Sequence, residues 1–473
     1  MNIKKPFPKT IPFRKLLGPS FIILALGLGS GEVILWPFLV SIYGLGIAWG
    51  AMLGITFQYF MNMEIERYAL VKGESVFVGL NKKFKAAVPW FIISTFIGFG
   101  IPGIIAASAK VASHILGLSE HKWIAIVFLL VIGMILSLGK TVYGMMEKIT
   151  ETVLLLGTPF IFFLAIILAS KSDWIALGKG LIGIGESLST QPSGYILFPI
   201  GISLATFLAA FAYAGAGGNL NLTQSIYVKE KGYGMGKYSQ RMVGLFRNKS
   251  PQTLKLEGEE CDFSNKSVNN FKKWWRLVSA EHLIVFWFMG LLTMTLLMLL
   301  SYSSTFGKGI SGAADISFVI TESTFISAGL SPVFGTIFLI VVVIMLFQTQ
   351  LGVLDSTSRI MAENYSLKKM EIGKKLKINL SKTYYIFLWA QIIFGVVLFL
   401  ADFKEPLTLI VIGAVINAVA MFVHLGLVSW MNFKVLPQEV QAPLWRKVII
   451  ILIFLFLGIF SVVTIYTQLS KLF

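Results

Sequence analysis

Charged residues are scarce in this chain of 473 residues, of which only 13% are Asp, Glu, Lys or Arg. Soluble domains carry roughly 25% charged residues, so the composition excludes a soluble globular protein. Only one cysteine is present, which excludes an internal disulfide framework. Hydrophobic residues make up 56% of the chain, and they gather in runs of the roughly 20 residues that cross a bilayer. The sequence therefore predicts an all-α integral membrane protein.

The sequence patterns of enzymes and of ATP-driven pumps are also missing. The chain contains no glycine-rich phosphate loop with its lysine, no paired Cys/His spacing and no nucleophile–base arrangement. We therefore expect a protein that is not an enzyme and holds no cofactor. A channel is a different class of interpretation. Channels usually show a repeated pore element or a ring of charge, and the sequence shows neither.

The net charge of +17 raises the question of nucleic acid as a partner. Lys and Arg residues, however, are dense before the first apolar run and after the second, sixth and eighth, which places them on one side of a membrane. This asymmetry predicts a cytoplasmic N-terminus in a cell (plasma) membrane. The expected partners are the lipid bilayer and a small ion or solute, with no nucleic acid, and we expect a monomer.

Eleven apolar segments are long enough to be predicted as spans. They imply a basic cytoplasmic N-terminus at 1–17, a first five-helix repeat at 18–169, a second repeat at 194–432, and an eleventh helix with the C-terminus at 444–473. The polar segment 228–275 inside the second repeat is predicted to be a partly ordered cytoplasmic loop. The predicted spans are 18–43, 46–69, 88–116, 122–140, 145–169, 194–227, 277–302, 331–358, 383–402, 406–432 and 444–468.

Two of the predicted spans are interrupted by glycine clusters at mid-depth. The first contains "GLGSGEVILWP" and the sixth contains "FAYAGAGGNLNLTQS". Each glycine weakens a helix by about 1 kcal/mol relative to alanine, so we expect unwound backbone near 28–32 and 214–219. Two broken helices five spans apart are typical of an inverted five-plus-five repeat. In such transporters the freed backbone forms the substrate site.

Three stretches resemble the Nramp superfamily of divalent-metal transporters, which has the LeuT-type fold: "LLGPSFIILALGLGSGE", "FQYFMNMEIERYALVKGES" and "AGGNLNLTQS". The family's first-span motif Asp-Pro-Gly-Asn aligns with residues 29–32, and its sixth-span motif Met-Pro-His-Asn aligns with 216–219. The resemblance implies a secondary active transporter, working by alternating access and coupled to protons, for a divalent metal cation. The substrate-binding residues that it implies are Gly29, Ser30, Gly31, Glu32, Ala216, Gly218 and Asn219.

The metal-binding side chains of that family are not retained here. Its aspartate, first-span asparagine, methionine and histidine are replaced, and Glu32 is the only substitute carboxylate. Loss of a soft thioether shifts selectivity toward harder ions, which need several oxygen ligands. A weakened or altered metal site is therefore one expectation.

A second interpretation uses the same residues. The string "GSG" followed by an apolar run and a proline also resembles the first span of amino-acid carriers of the APC superfamily. There the freed backbone N–H groups bind a substrate carboxylate at the positive end of a half-helix. The alternative substrate is thus an amino acid or another small organic ion.

Ionisable and amide residues inside spans are functional candidates, because their burial in a membrane is costly. Glu64 and Arg67 are three residues apart and can pair on one helix face. Lys148 matches a fifth-span lysine of some proton-coupled carriers, or it anchors the span at the interface. The full set of candidates for coupling or gating is Glu64, Arg67, Lys148, Glu281, His282, Gln348, Asp355 and Arg359.

Overall fold

The apolar runs of the sequence form long helices in the computed structural model, which describes residues 4–13, 16, 18–138, 142–239, 256–308, 316–371 and 379–469. A helix satisfies its own backbone N–H and C=O groups, which a bilayer cannot do. Within the described residues, eight helical segments are long and apolar enough to cross a membrane, and the all-α membrane class is thereby confirmed. These are Pro19–Tyr43, Ala87–Ile115, Lys148–Leu168, Asn265–Thr305, Pro332–Met370, Leu380–Leu400, Pro406–Val435 and Leu444–Val463.

Three further helical segments occupy the remaining predicted spans. Lys122–Leu138 is apolar but shorter. Ala48–Lys72 is long, yet it buries polar side chains that lower its mean hydropathy. The sixth span consists of two short helices, Leu204–Ala212 and Thr223–Lys231. We number the spans from one to eleven in chain order.

Three predicted boundaries are wrong, and one of them is the end of the eighth helix, which lies at Glu371 rather than 358. The seventh helix begins at Asn265 rather than near 277, so the last part of the predicted loop 228–275 is helical. Its start is stabilised by Ser264, whose side chain accepts a hydrogen bond from the backbone N–H of Ser267. The first helix of the sixth span begins at Leu204 rather than 194. Tyr195–Ile196 form a strand of a small sheet, and the Ser203 side chain caps the helix by accepting a hydrogen bond from the Thr206 N–H.

That sheet and two short helices lie in the loops after the fifth and seventh spans. Ile184–Gly185 pairs antiparallel with Tyr195–Ile196. Helix Lys171–Gly180 precedes the sheet, and helix Ser317–Gly329 precedes the eighth span. None of these elements was predicted from the sequence.

The two ends of the helix bundle differ in charge and are named here for that difference. The basic end is where the first span begins and the second span ends at Lys72, followed by Lys82 and Lys83. At this end the N-terminal segment packs on the start of the seventh helix: the indole N–H of Trp274 donates to the Pro8 carbonyl at 3.1 Å. The opposite end carries the sheet and the two loop helices.

Candidate functional site

The α-helix of the first span is interrupted at the predicted place. It ends at Gly27 and resumes at Trp36, and the stretch Leu28–Leu35 between them is π-helical. The interruption is thus a widened helical turn rather than the unwound backbone that we expected. Wider π turns re-aim the side chains that they carry and often lie at functional sites.

The sixth span is interrupted by non-helical backbone. Its first helix ends at Ala212, and a 3₁₀ turn starts at Gly218. Gly217 and Gly218 have φ angles of 72° and 52°, in the left-handed region that glycine adopts without steric cost. A Cβ at Gly218 would also lie 2.2 Å from the side-chain oxygen of Asn417 in span ten.

The glycines of the first span allow three helices to approach each other closely. A Cβ added at Gly31 would lie 1.7 Å from the Tyr213 carbonyl oxygen in the break of span six. At Gly29 it would lie 2.7 Å from the Cβ of Thr349 in span eight. At both glycines the space beside the Cα is therefore occupied by a neighbouring helix, and neither leaves room there for a ligand.

Glu32 is fully buried on the π-helical turn. Its carboxylate faces span seven, because one carboxylate oxygen lies 3.6 Å from the position that a Cβ on Gly290 would occupy. The methyl groups of Leu24 and Ile55 border the same position. Within the described residues, both oxygens lack a hydrogen-bond partner. A buried carboxyl in such a place must hold a proton or a cation, since an isolated buried charge is very costly.

Asn219 faces a different helix. Its amide nitrogen donates to the hydroxyls of Ser94 at 2.8 Å and Thr95 at 3.0 Å, both in span three. Its carbonyl oxygen has no partner among the described residues. Glu32 and Asn219, which the alignment places in one ligand set, thus point toward different neighbours. The other aligned residues, Ser30 and Ala216, are also buried.

A side chain that the sequence analysis missed bridges the break in span six. The Gln58 amide nitrogen, in span two, donates to the Ala212 carbonyl at 2.9 Å, and its oxygen accepts from the Gly217 N–H at 3.1 Å. The same oxygen accepts from the Asn221 amide at 3.1 Å. Gln58 therefore supplies the hydrogen bonds that the interrupted helix cannot make for itself.

Two more polar residues of span two continue this contact with span six. Asn62 accepts from the Asn221 amide at 2.7 Å, and Glu66 accepts from the Gln224 amide at 3.1 Å. Positions 58, 62 and 66 are four residues apart and share one helix face. That spacing is the signal in the sequence that could have indicated a polar contact surface.

The candidate pair Glu64–Arg67 lies on another face of span two. Its nitrogen–oxygen distance is 3.0 Å. Glu64 also pairs with Arg446 of span eleven at 2.6 Å and accepts from Asn432 of span ten at 3.1 Å. This network ties span two to the last two spans at the basic end.

Asp355 and Arg359 of span eight join the second helix of span six. Arg359 pairs with Asp355 at 2.9 Å and with Glu230 at 2.7 Å, and all three side chains are buried. The hydroxyls of Tyr227 and Tyr384 donate to Asp355 at 3.3 and 2.8 Å. The cluster links spans six, eight and nine near the basic end.

The remaining candidates are separated from one another. Glu281 and His282 of span seven lie beside the start of span one, where both contact the Ser20 hydroxyl. The Gln348 amide donates to the Thr150 hydroxyl of span five at 3.0 Å. Lys148 is exposed on span five, so the structure does not bring it to the other candidates.

A cavity of about 370 Å³ opens at the opposite end of the bundle, between spans one, six and ten. None of the residues that line it is charged. The lining residues are Phe38, Leu39, Ile42, Tyr43, Ser203, Thr206, Leu407, Thr408, Val411 and Ile412. Among the residues that the structure describes, no three His, Cys, Asp or Glu side chains are grouped so that they could hold a metal ion.

No protein-family model matches this chain, and no curated protein matches it in sequence. Solved structures do match it. A variant of the Eremococcus coleocola manganese transporter has a TM-score of 0.71 and 13% identity, over 100% of this chain and 91% of that chain. MhsT in complex with L-phenylalanine has a TM-score of 0.53 and 12% identity, over 94% and 97%. Mhp1, a nucleobase-cation-symport-1 family transporter with bromovinylhydantoin bound, has a TM-score of 0.52 and 12% identity, over 98% of this chain and 91% of that chain.

These likenesses show the fold. The chain has the LeuT-type architecture of membrane transporters, as the paired interruptions in spans one and six predict. Identities of 12–13% are too low to infer the substrate of this chain from those of the matching proteins.

Proposed function

We propose that the protein is a secondary active transporter that carries a small organic solute by alternating access and couples this transport to protons. The fold and the two interrupted helices support a transporter. The choice of an organic substrate is supported by one observation, the uncharged cavity between spans one, six and ten.

The lining of that cavity suits an organic solute better than a metal ion. Small-molecule sites are mostly apolar clefts of about 300–1,000 Å³ with a few polar groups that orient the ligand. Here aromatic and aliphatic side chains are joined by the hydroxyls of Ser203, Thr206 and Thr408. A hydrated divalent cation would instead be attracted by carboxylates along its route, and this lining contains none.

The second candidate is a divalent cation of the harder kind. It is favoured by the sequence resemblance to divalent-metal transporters in spans one, two and six and by the unpaired carboxylate of Glu32. Against it, Glu32 faces span seven and Asn219 faces span three. Hard cations need several converging oxygens, and these two residues supply oxygens at separate places.

In the proposed mechanism, Glu32 is the group that couples transport to protons. It lies on the π-helical turn that contacts the break in span six, so a rearrangement at that contact changes its surroundings. Burial without a partner favours the protonated form, and exposure to water releases the proton. The cluster of Asp355, Arg359 and Glu230 keeps the basic end closed while the cavity at the opposite end is open. We further propose a monomer in the plasma membrane with a cytoplasmic N-terminus.

The test is uptake into proteoliposomes under an imposed proton gradient. The probes are a panel of radiolabelled amino acids and organic acids, with Mn²⁺ and Mg²⁺ as separate arms. We expect saturable uptake of an organic solute that depends on the gradient, and no uptake of either metal. Uptake confined to Mn²⁺ or Mg²⁺ would establish the second candidate instead.

Two variants link the uptake to the structure. Val411→Trp fills the cavity and is expected to abolish uptake. Val448→Trp is the control, because Val448 is 48% exposed on span eleven. Glu32→Gln should leave solute binding but remove the dependence on the proton gradient. Unchanged gradient dependence in this variant would show that Glu32 is not the coupling group.

A further inference from the structure

A second group of buried polar side chains lies at the basic end, between spans one, two and seven. The Ser20 hydroxyl donates to a Glu281 carboxylate oxygen at 2.5 Å and lies 2.8 Å from Nδ1 of His282. A serine hydroxyl has one proton to donate. When Glu281 is ionised its carboxylate takes that proton, so His282 donates from Nδ1 and its Nε2 is an acceptor.

Three acceptor atoms in this group lack a partner among the described residues. They are one carboxylate oxygen of Glu281, Nε2 of His282 and one carboxylate oxygen of Glu66. Glu66 lies within electrostatic reach of Glu281, and its other oxygen accepts from the Gln224 amide. Buried acceptors are normally hydrogen-bonded, and two neighbouring buried carboxylates do not both stay ionised.

Aromatic rings pack against the His282 ring, and two cations act electrostatically on the group. The His282 ring stacks on Phe286 and Tyr59, with ring centroids 4.6 and 5.7 Å apart. Arg446 acts electrostatically on His282, but it is paired with Glu64 at 2.6 Å. Lys231, at the end of span six, acts on Glu281.

We infer that Glu281 and His282, joined through the Ser20 hydroxyl, form a second proton-binding site, distinct from Glu32, whose carboxyl is coupled electrostatically to that of Glu66. Two such side chains are too few to hold a metal ion, and no metal-holding group of three is found in the described part of the chain. Sodium ions prefer oxygen ligands, and here one of the three acceptors is an imidazole nitrogen. The inference rests on the proposed coupling to protons, but not on which solute is carried.

The position of Ser20 gives the site a connection to the transport cycle. Ser20 is the second residue of the first span, and its contacts with span seven hold the two helices together. If the start of span one swings away from span seven, both Ser20 contacts break. Glu281 then loses a donor, and the protons of the site become exposed to water at the basic end.

The experiment is an infrared titration of the purified full-length protein in lipid nanodiscs, because it needs no transported substrate. The pH-difference spectra report the C=O stretch of each protonated carboxyl. We compare the unmodified protein with Glu66→Gln, Glu281→Gln and His282→Gln. If the site is shared, each glutamate variant loses its own band and shifts the midpoint of the other by about one pH unit or more. His282→Gln shifts both midpoints.

The control is Glu322→Gln, a buried carboxyl at the opposite end of the bundle. It should remove one band and leave the midpoints of Glu66 and Glu281 in place. Independent titration of these two carboxyls would overturn the inference. So would midpoints that move with Na⁺ concentration at constant ionic strength, which would indicate a sodium site. Loss of organic-solute uptake in the earlier assay affects neither outcome, so the two proposals can fail separately.

Discussion

Gly31 and Tyr213 hold the two interrupted spans together, because the Cα of Gly31 rests directly on the Tyr213 carbonyl. A Cβ there would lie 1.7 Å from that oxygen, with backbone on the other side of the contact. Backbone cannot turn away as a flexible side chain can. The glycine cluster of span one thus acts mainly as a packing surface for the break in span six.

Gly31→Ala should therefore destabilise the protein. Overpacking of this kind costs about 1–3 kcal/mol. Gly157→Ala in span five is the control, because its Cβ would make only ordinary contacts, at 3.7 Å from Val341. An alanine in a helix interior gains about 0.5–1 kcal/mol over glycine. Thermal unfolding in one detergent should rank Gly157→Ala at or above the unmodified protein and Gly31→Ala well below it; equal melting temperatures for the two variants would contradict the contact.

Gln58 is expected to be more important to stability than its burial alone suggests. Gln58→Leu leaves the Ala212 carbonyl, the Gly217 N–H and the Asn221 amide without this partner. Each unsatisfied buried group costs about 1–3 kcal/mol. Gln348→Leu is a matched comparison, since Gln348 is equally buried but donates a single hydrogen bond, to Thr150. Denaturant or thermal unfolding should show the larger loss for Gln58→Leu, and the reverse order would disprove the bridging role.

The difference between Gln58 and the glycines shows what the sequence could predict. Glycine runs and apolar runs act through local propensity, so the spans and the two interruptions were predictable. Gln58 bonds to groups more than 150 residues away. The spacing of positions 58, 62 and 66 indicates a polar helix face, but it does not identify the segment that this face contacts. Glu32 was a candidate, but its direction depends on the π-helical turn. A wider turn rotates each side chain differently from an α-helix, so the carboxylate faces span seven.

The Arg359–Glu230 ion pair is predicted to hold the basic end closed. Glu230→Ala removes a charge-assisted bond worth about 1.5–3 kcal/mol, which corresponds to a population shift of roughly tenfold or more. The readout is maleimide labelling of Ala362→Cys, a buried position near the basic end of span eight, in a Cys261→Ser background. Labelling should become faster in Glu230→Ala. Lys404→Gln at the opposite end is the control and should not change the rate; equal rates in all three would mean that the pair is not a gate.

Stability is predicted to fall as the pH rises, through Glu322. This residue lies in the loop helix Ser317–Gly329, outside the membrane spans, and burial raises its pKa from 4.5 to about 8, although a hydrogen bond from Ser301 opposes this. Between these two values the folded protein binds a proton that the unfolded chain has lost, so the free energy of unfolding decreases as the pH rises. Glu322→Gln should flatten this slope in melting curves measured from pH 4.5 to 8. The exposed Glu120→Gln should retain it, and identical slopes for both variants would contradict the assignment.

Residues 29–32 and 216–219 lack the aspartate and the methionine of the metal-transporter motifs, which predicts that the unmodified protein gives no saturable heat with Mn²⁺ in calorimetric titration. Restoring the family's carboxylate and thioether by Gly29→Asp and Ala216→Met is expected to fail, because the new Cβ at position 29 would lie 2.7 Å from the Cβ of Thr349. Adding Thr349→Gly removes that Cβ and makes room, and the triple variant should then bind Mn²⁺ through a carboxylate and a sulfur. Ala216→Met with Thr349→Gly is the control, which has the space and the sulfur but no aspartate, and it should give no saturable heat. Tight, saturable binding by the unmodified protein would show instead that Glu32 and nearby carbonyls suffice for a metal, and it would favour the cation as the transported substrate.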